Sequence, residues 1–159
     1  MALNPDRVGH RYPAYRFEVG REHVRTYADV TGVVDERYHN AAPESVADGL
    51  AVPPAFVACI AGAQAWGRVM QDPQLGAHDR VMHGGQELEF TAPVRIGDVL
   101  ICTPMITDLR AIRGLELLTV EVDCTRQDGE AVVTSRSRLA FMPERGPVAA
   151  DDDGGDAAS

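Results

Sequence analysis

The chain has 159 residues, of which 45% are hydrophobic and 25% charged, as in one ordinary globular domain that buries a core of its own. Its formal net charge is −9, and its fifteen basic residues are all arginine. An acidic chain repels nucleic acid, because that affinity depends on basic side chains set against phosphate. The composition therefore argues against a nucleic-acid partner.

Neither a membrane anchor nor a disulfide framework is predicted. The longest apolar run, residues 50–63, is too short to span a bilayer and contains Pro53-Pro54. No apolar signal segment opens the sequence. The cysteines, three in number and without a CxxC pair, are expected to be buried free thiols. We expect a cytoplasmic protein.

Two helices are predicted in the first half of the chain. Residues 21–30 place Val24 and Ala28 on one face, and Gly32 provides a stop. A polar loop and a short helical piece at 43–47 follow. The second helix runs from Pro54 to about Met70 and is apolar on nearly every side. Such a helix should be buried, so we expect a central helix wrapped by a sheet.

The second half changes to the two-residue period of strands. The predicted strands are 86–90, 99–106, 115–124 and 131–141, and Asp128-Gly129 is a hairpin turn signal between the last two. Residues 1–143 are predicted to form one domain, and residues 144–159 a disordered acidic tail. A helix packed on an antiparallel sheet is an α+β layout.

Several ordered segments resemble the MaoC-like hydratase/dehydratase family, nearest to the N-terminal MaoC-like, non-catalytic subunit of actinobacterial (3R)-hydroxyacyl-ACP dehydratases. The resemblance covers about residues 3–142. It implies the hot-dog fold, in which a curved antiparallel sheet wraps a long central helix. The matching segments are Thr31-Gly32, Val52-Pro53-Pro54-Ala55-Phe56, residues 71–76, residues 81–86 and residues 93–98.

The catalytic motif of that family, T/S-G-D-x-N-P-x-H, is incomplete in this chain. Aligned on Thr31-Gly32, it places Val33 at the aspartate position and Tyr38 at the histidine position. Valine cannot position a hydroxyl, and tyrosine, with an ordinary pKa near 10, is a poor base. A register shifted by one residue would instead use His39 as the base, with Asp35 or Glu36 as an acid nearby. The alternative is that His39 is an exposed loop histidine.

The resemblance also suggests residues that contact a substrate. An acyl channel would be lined by residues on the motif loop, the central helix and the first long strand, namely Tyr38, Pro54, Phe56, Trp66, His83, Gly84 and Gly85. Trp66 is more simply a core residue, and His83 is read equally well as bonding a backbone carbonyl at a strand entrance. The motifs imply no metal and no cofactor. Arg136 and Arg138 are read either as a docking patch for an acidic carrier protein or as a solvated sheet face.

Three functions are consistent with these features. The first is a subunit of a (3R)-hydroxyacyl-thioester dehydratase or hydratase that shapes the acyl channel for acyl-ACP or acyl-CoA. A second MaoC-like chain would then supply Asp and His, in a heterodimer or homodimer. The second is a self-sufficient dehydratase that uses His39. The third is an acyl-thioester-binding module without turnover. A hot-dog thioesterase is disfavoured, because residues 54–71 contain no acid.

Overall fold

The computed structural model describes residues 3–39, 51–76 and 80–142, and these form one antiparallel sheet and two helical regions. The strands are β1 Tyr15–Glu18, β2 Val81–Phe90, β3 Val99–Ile112, β4 Leu115–Arg126 and β5 Ala131–Phe141. Their order is β1-β3-β4-β5-β2, so that β1 and β2 are the edges. The predicted helix on an antiparallel sheet is confirmed. The predicted helical piece at 43–47 and the tail at 144–159 lie outside the described residues.

Three strands differ from the sequence-based prediction. β3 runs to Ile112, whereas the prediction ended it at residue 106. β1 is missed, because four residues are too few to show a period. β2 begins at Val81 rather than Gln86, because the glycine pair lies inside the strand as an irregularity and does not precede it. A Cβ on Gly84 would lie 3.4 Å from the Arg138 carbonyl oxygen on the neighbouring strand β5.

The first helix is confirmed as α1, Arg21–Thr31. Val24 and Ala28 are its buried residues, and Gly32 ends it in the left-handed conformation with φ 69°. The Gly32 N–H donates to the Asp29 carbonyl, and the Val33 N–H donates to the Ala28 carbonyl. Glycine adopts this left-handed φ with little strain, so the end of α1, and hence the start of the following loop, is fixed by sequence.

The central helix combines three pieces: α2 Phe56–Ala58, a π-helical turn Cys59–Ala63, and α3 Gln64–Met70. Val57, Ala65 and Val69 are fully buried against the sheet. The opposite side of the helix carries Ala63 and Gly67, and both are exposed. The prediction that the whole helix is buried is therefore wrong. The helix is buried on one face only, because a single sheet covers a single face. Within the described residues, no helix is long and apolar enough to cross a membrane.

Asp72, just after α3, holds the N-terminal segment against the end of the central helix. Its Oδ2 accepts from the Tyr12 hydroxyl at 2.8 Å and from Arg7 Nε at 2.8 Å. Burial, together with the neighbouring carboxylate, raises the pKa of Tyr12 to about 12. Both partners of the carboxylate are therefore hydrogen-bond donors at neutral pH.

Replacing Gly62 should test the one-sided burial of the central helix. Gly62 is buried, and a Cβ there would lie 3.6 Å from the Trp66 ring. We expect Gly62→Leu to overpack this contact and lower the free energy of unfolding by roughly 1–3 kcal/mol. Ala63→Leu, on the exposed face, is the matched control and should change it by less than about 0.5 kcal/mol. Urea denaturation of both variants measures the difference, and equal effects would contradict the assignment of faces.

Candidate functional site

The loop after α1 holds the positions of the incomplete motif, and Asp35 shapes its turn. Asp35 caps a short 3₁₀ turn, Glu36–Tyr38, by accepting from the Arg37 N–H at 3.0 Å. Its carboxylate also pairs with the Arg37 guanidinium, with NH2 and Oδ2 2.6 Å apart. Arg37 holds the pKa of Asp35 below its usual range. In this arrangement Asp35 is an ionised capping residue.

His39 ends the same loop with both ring nitrogens engaged inside the chain. Nδ1 lies 3.0 Å from Asp29 Oδ1 on α1, and Nε2 contacts the carbonyl oxygen of Val33. The imidazole therefore ties the end of the loop back to its beginning. Neither ring nitrogen is left without a contact in this arrangement. The catalytic assignment of His39 and Asp35 stays a prediction.

The two motif positions proper are occupied by side chains that fit the loop without acid or base chemistry. Val33 and Tyr38 are both half-buried. The Arg37 guanidinium carbon lies 5.7 Å from the centre of the Tyr38 ring, a cation–π contact. The scaffold of the loop is thus held by Asp29, Asp35, Arg37 and His39, whereas Val33 and Tyr38 fill the catalytic positions.

A cleft of about 710 Å³ opens where the central helix begins. Its walls come from the segment before the helix, the first helical residues and the connection between β2 and β3. Most of its lining is apolar, and Arg95 contributes a positive charge. The lining residues are Ala51, Val52, Pro54, Val57, Phe90, Thr91, Ala92, Pro93, Val94 and Arg95. A ligand with an apolar chain and an anionic end matches this lining.

The motif loop and this cleft are joined by backbone hydrogen bonds. The Ala51 N–H donates to the Arg37 carbonyl oxygen at 3.1 Å, and Ala51 forms a bridge with Arg95. The loop therefore lies beside the rim of the cleft. A change in the conformation of the loop would therefore shift Ala51 and alter the wall of the cleft.

The remaining predicted residues lie at the other end of the central helix. The Trp66 and His83 rings pack with centroids 4.7 Å apart, beside the glycine pair Gly84 and Gly85 on edge strand β2. Trp66 Nε1 is buried and has no hydrogen-bond acceptor among the described residues. His83 itself is exposed. The predicted substrate contacts on the central helix therefore lie in two separate regions, one at the start of the helix and one around Trp66.

Of the predicted substrate contacts, Pro54 lies on the wall of the cleft. Phe56 is buried in an aromatic cluster with Tyr27 and Phe17, at centroid distances of 5.5 and 6.3 Å. The substrate contacts as a set stay predictions. Most lining residues of the cleft were missed, and the signal that could have found them was the matching segment 93–98, which was used only for recognition.

The proposed docking patch on β5 carries little free positive charge. Ser135 and Ser137 are buried, and both bond to Gln86, whereas Arg136 points to the opposite side of the sheet. Arg136 pairs with Glu121 at 2.7 Å and with Glu89 at 3.1 Å. Arg138 lies 3.7 Å from Glu87. The alternative reading, a solvated and ion-paired sheet face, describes this surface.

Comparison with known families identifies the chain. A family model described as the FAS1-like dehydratase domain region matches residues 6–135. The chain belongs to this MaoC-like hydratase/dehydratase family. It is also 39% identical to a UPF0336 protein of Streptomyces avermitilis, over 87% of this chain and 95% of the relative. A UPF0336 protein of Mycolicibacterium paratuberculosis is 30% identical, over 88% and 90%.

Solved structures of the same family share the hot-dog fold, which confirms the predicted fold class. A chain of the C-terminally truncated HadBC (3R-hydroxyacyl-ACP dehydratase) complex from Mycobacterium tuberculosis superposes with a TM-score of 0.75 at 27% identity, covering 87% of this chain and 99% of that one. A MaoC-like dehydratase gives 0.74 at 28% identity, covering 86% of this chain and 42% of that one. The (R)-hydratase from A. caviae, at 19% identity and a TM-score of 0.61, shares the fold.

Filling the cleft should weaken the binding of an apolar ligand. Ala92 is half-buried on the cleft wall, so Ala92→Trp places an indole in the open volume. We expect a fluorescent fatty-acid analogue to bind at least about tenfold more weakly, or about 1.4 kcal/mol. Ala111→Trp, on an exposed position of β3 outside the cleft lining, is the control. Fluorescence titration measures both, and unchanged affinity in Ala92→Trp would place the ligand elsewhere.

Proposed function

We propose that this chain is the non-catalytic subunit of a (3R)-hydroxyacyl-thioester dehydratase or enoyl hydratase. It shapes the acyl-binding channel, and a second MaoC-like chain supplies the catalytic Asp and His. The observation that carries the proposal is the motif loop, which is held by its own contacts while Val33 and Tyr38 stand at the positions aligned with the catalytic residues. The 27% identity to a chain of a two-subunit dehydratase supports the same role.

The chemistry of the reaction explains why these two positions decide the matter. Dehydration removes a weakly acidic α-proton and protonates the departing hydroxyl, which requires a base with a pKa near neutrality and a hydroxyl-positioning acid. Val33 carries neither, and Tyr38 has an aromatic ring packed beside Arg37. Asp35 is occupied by Arg37, and His39 by Asp29 and Val33. In this arrangement neither Asp35 nor His39 is free to act as the general base.

The cleft supports an acyl thioester as the ligand. Its apolar walls suit an acyl chain, and the positive charge of Arg95 suits an anionic group at the other end of the ligand. CoA and the prosthetic group of an acyl-carrier protein both contain phosphate, so either carrier provides such an anion. The subunit's contribution is then binding and orientation of the acyl chain.

The surface of the central helix supports a partner. Edge strand β2 has β5 on one side only and exposes Val81 and Met82, at 49% and 51%. Beside it, the helix exposes Ala63 and Gly67. An open edge next to an apolar face invites pairing with another chain. A second hot-dog chain joined at β2 would cover both features.

A second candidate, a self-sufficient dehydratase, is favoured by one observation. Asp29 holds Nδ1 of His39, and a carboxylate on one nitrogen is the way in which many catalytic histidines are oriented. This candidate requires Nε2 of His39 to leave the Val33 carbonyl and face the substrate. The two candidates differ in what the chain does alone.

Activity of the purified chain separates them. We expect the chain alone not to hydrate a crotonyl thioester measurably, since a missing general base costs roughly 10²–10⁴-fold. Adding a MaoC-like chain from the same genome with the complete motif should restore turnover. The mixed complex and the separate chains are compared in one spectrophotometric assay. Efficient turnover by the chain alone, abolished by His39→Ala, would establish the self-sufficient enzyme.

A further inference from the structure

Two cysteines that the proposed function does not use lie opposite each other inside the sheet. Cys102 on β3 and Cys124 on β4 are register partners, and their side chains are 0% and 1% exposed. Both are free thiols. The Cys124 thiol donates to Cys102 Sγ at 2.8 Å, which is about 0.8 Å longer than a disulfide bond of roughly 2.05 Å.

The backbone hydrogen bonds of β3 fix which kind of pair this is. Pro104 O accepts from the Tyr12 N–H, and Ile106 donates to the His10 carbonyl, so both residues direct their backbone groups away from β4. In an antiparallel strand this direction alternates from residue to residue. Cys102 has the same parity as Pro104 and Ile106, with no register shift between them. Cys102 and Cys124 are therefore a non-hydrogen-bonded pair.

This pair type has the backbone spacing that a disulfide needs. Cα atoms of non-hydrogen-bonded partners lie about 4.5 Å apart, whereas those of disulfides usually span about 4.4–6.8 Å. The sulfurs already face each other, so that closing the bond requires a small rotation of the side chains and no movement of the strands. We propose that Cys102 and Cys124 form a thiol–disulfide redox site, which a hydroperoxide oxidises to a cross-strand disulfide.

The oxidation balances with hydrogen peroxide as the oxidant. The first thiol sulfur attacks one peroxide oxygen, the O–O bond breaks, and a sulfenic acid and one water form. The second sulfur displaces the hydroxyl of the sulfenic acid, which leaves as a second water with the remaining thiol proton. Two thiols lose two electrons, and the peroxide gains them.

Burial makes the oxidation of this pair slow and the resulting disulfide resistant to reduction. The hydrogen bond with Cys102 and burial raise the pKa of the Cys124 thiol, so little thiolate is present to react. Peroxide is small enough to reach the pair during local opening of the sheet. Tyr15, on edge strand β1, pairs with Cys102 and is itself buried, so the product is shielded from large reductants. The disulfide would lock β3 to β4.

Mass spectrometry of a Cys59→Ser variant tests the proposal, because this change removes the exposed thiol and leaves only the pair. After peroxide treatment, quenching, unfolding and alkylation, we expect a mass lower by two hydrogen atoms and no alkylation. Dithiothreitol should restore two alkylatable thiols. The urea midpoint of the oxidised protein should lie above that of the reduced protein, because the cross-link restricts the unfolded chain.

Single-thiol controls distinguish an internal disulfide from other products. Cys59→Ser combined with Cys102→Ala or Cys124→Ala leaves one thiol, which cannot form an internal bond. The proposal is overturned if the Cys59→Ser protein still takes up two alkyl groups at a peroxide dose that fully oxidises Cys59 in the unmodified chain. Added oxygen atoms without a disulfide, or a cross-linked dimer on a non-reducing gel, would overturn it equally.

Discussion

The one-sided contact between the central helix and the sheet is the constraint on which the rest of the structure depends. On the central helix, Val57, Ala65 and Val69 are fully buried on the face toward the sheet, whereas Ala63 and Gly67 are exposed on the opposite face. A five-stranded sheet whose order ends at β2 cannot close over the outer face. The same helix opens the cleft at its beginning and places Trp66 beside the open edge at its end. The proposed ligand and partner sites therefore lie along one element.

The motif loop is held together without the side chains that the family motif places at its aspartate and histidine positions. In this chain, the loop is held by contacts that do not use the side chains at the motif positions: Asp35 caps the turn through Arg37, and His39 bonds Asp29 and the backbone carbonyl of Val33. The loop also stays connected to the cleft rim through the Arg37 carbonyl. With shape secured in this way, the catalytic positions are free to vary, which is physically consistent with a subunit that binds and orients.

Much of the fold was predictable because it follows from local rules. α1 ends at Gly32 because glycine adopts the left-handed conformation easily, and β4 follows from a regular two-residue period. Hydrophobic composition alone could not show that one face of the central helix is exposed, because a core and an interface look alike in sequence. The cleft lining was missed because the connection between β2 and β3 has no period. The contacts of His39 depend on the folded path of the loop, which spacing cannot give.

The most direct test places the catalysts in one chain or the other. Hydration of a crotonyl thioester is measured for the mixed complex, first with His39→Ala and Asp35→Asn in this chain, and then with the motif Asp and His of the other chain replaced. The account predicts that kcat/KM stays within a few-fold in the first complex and falls by roughly 10²–10⁴-fold or more in the second. The reverse pattern would contradict the account and make the loop of this chain the catalytic site.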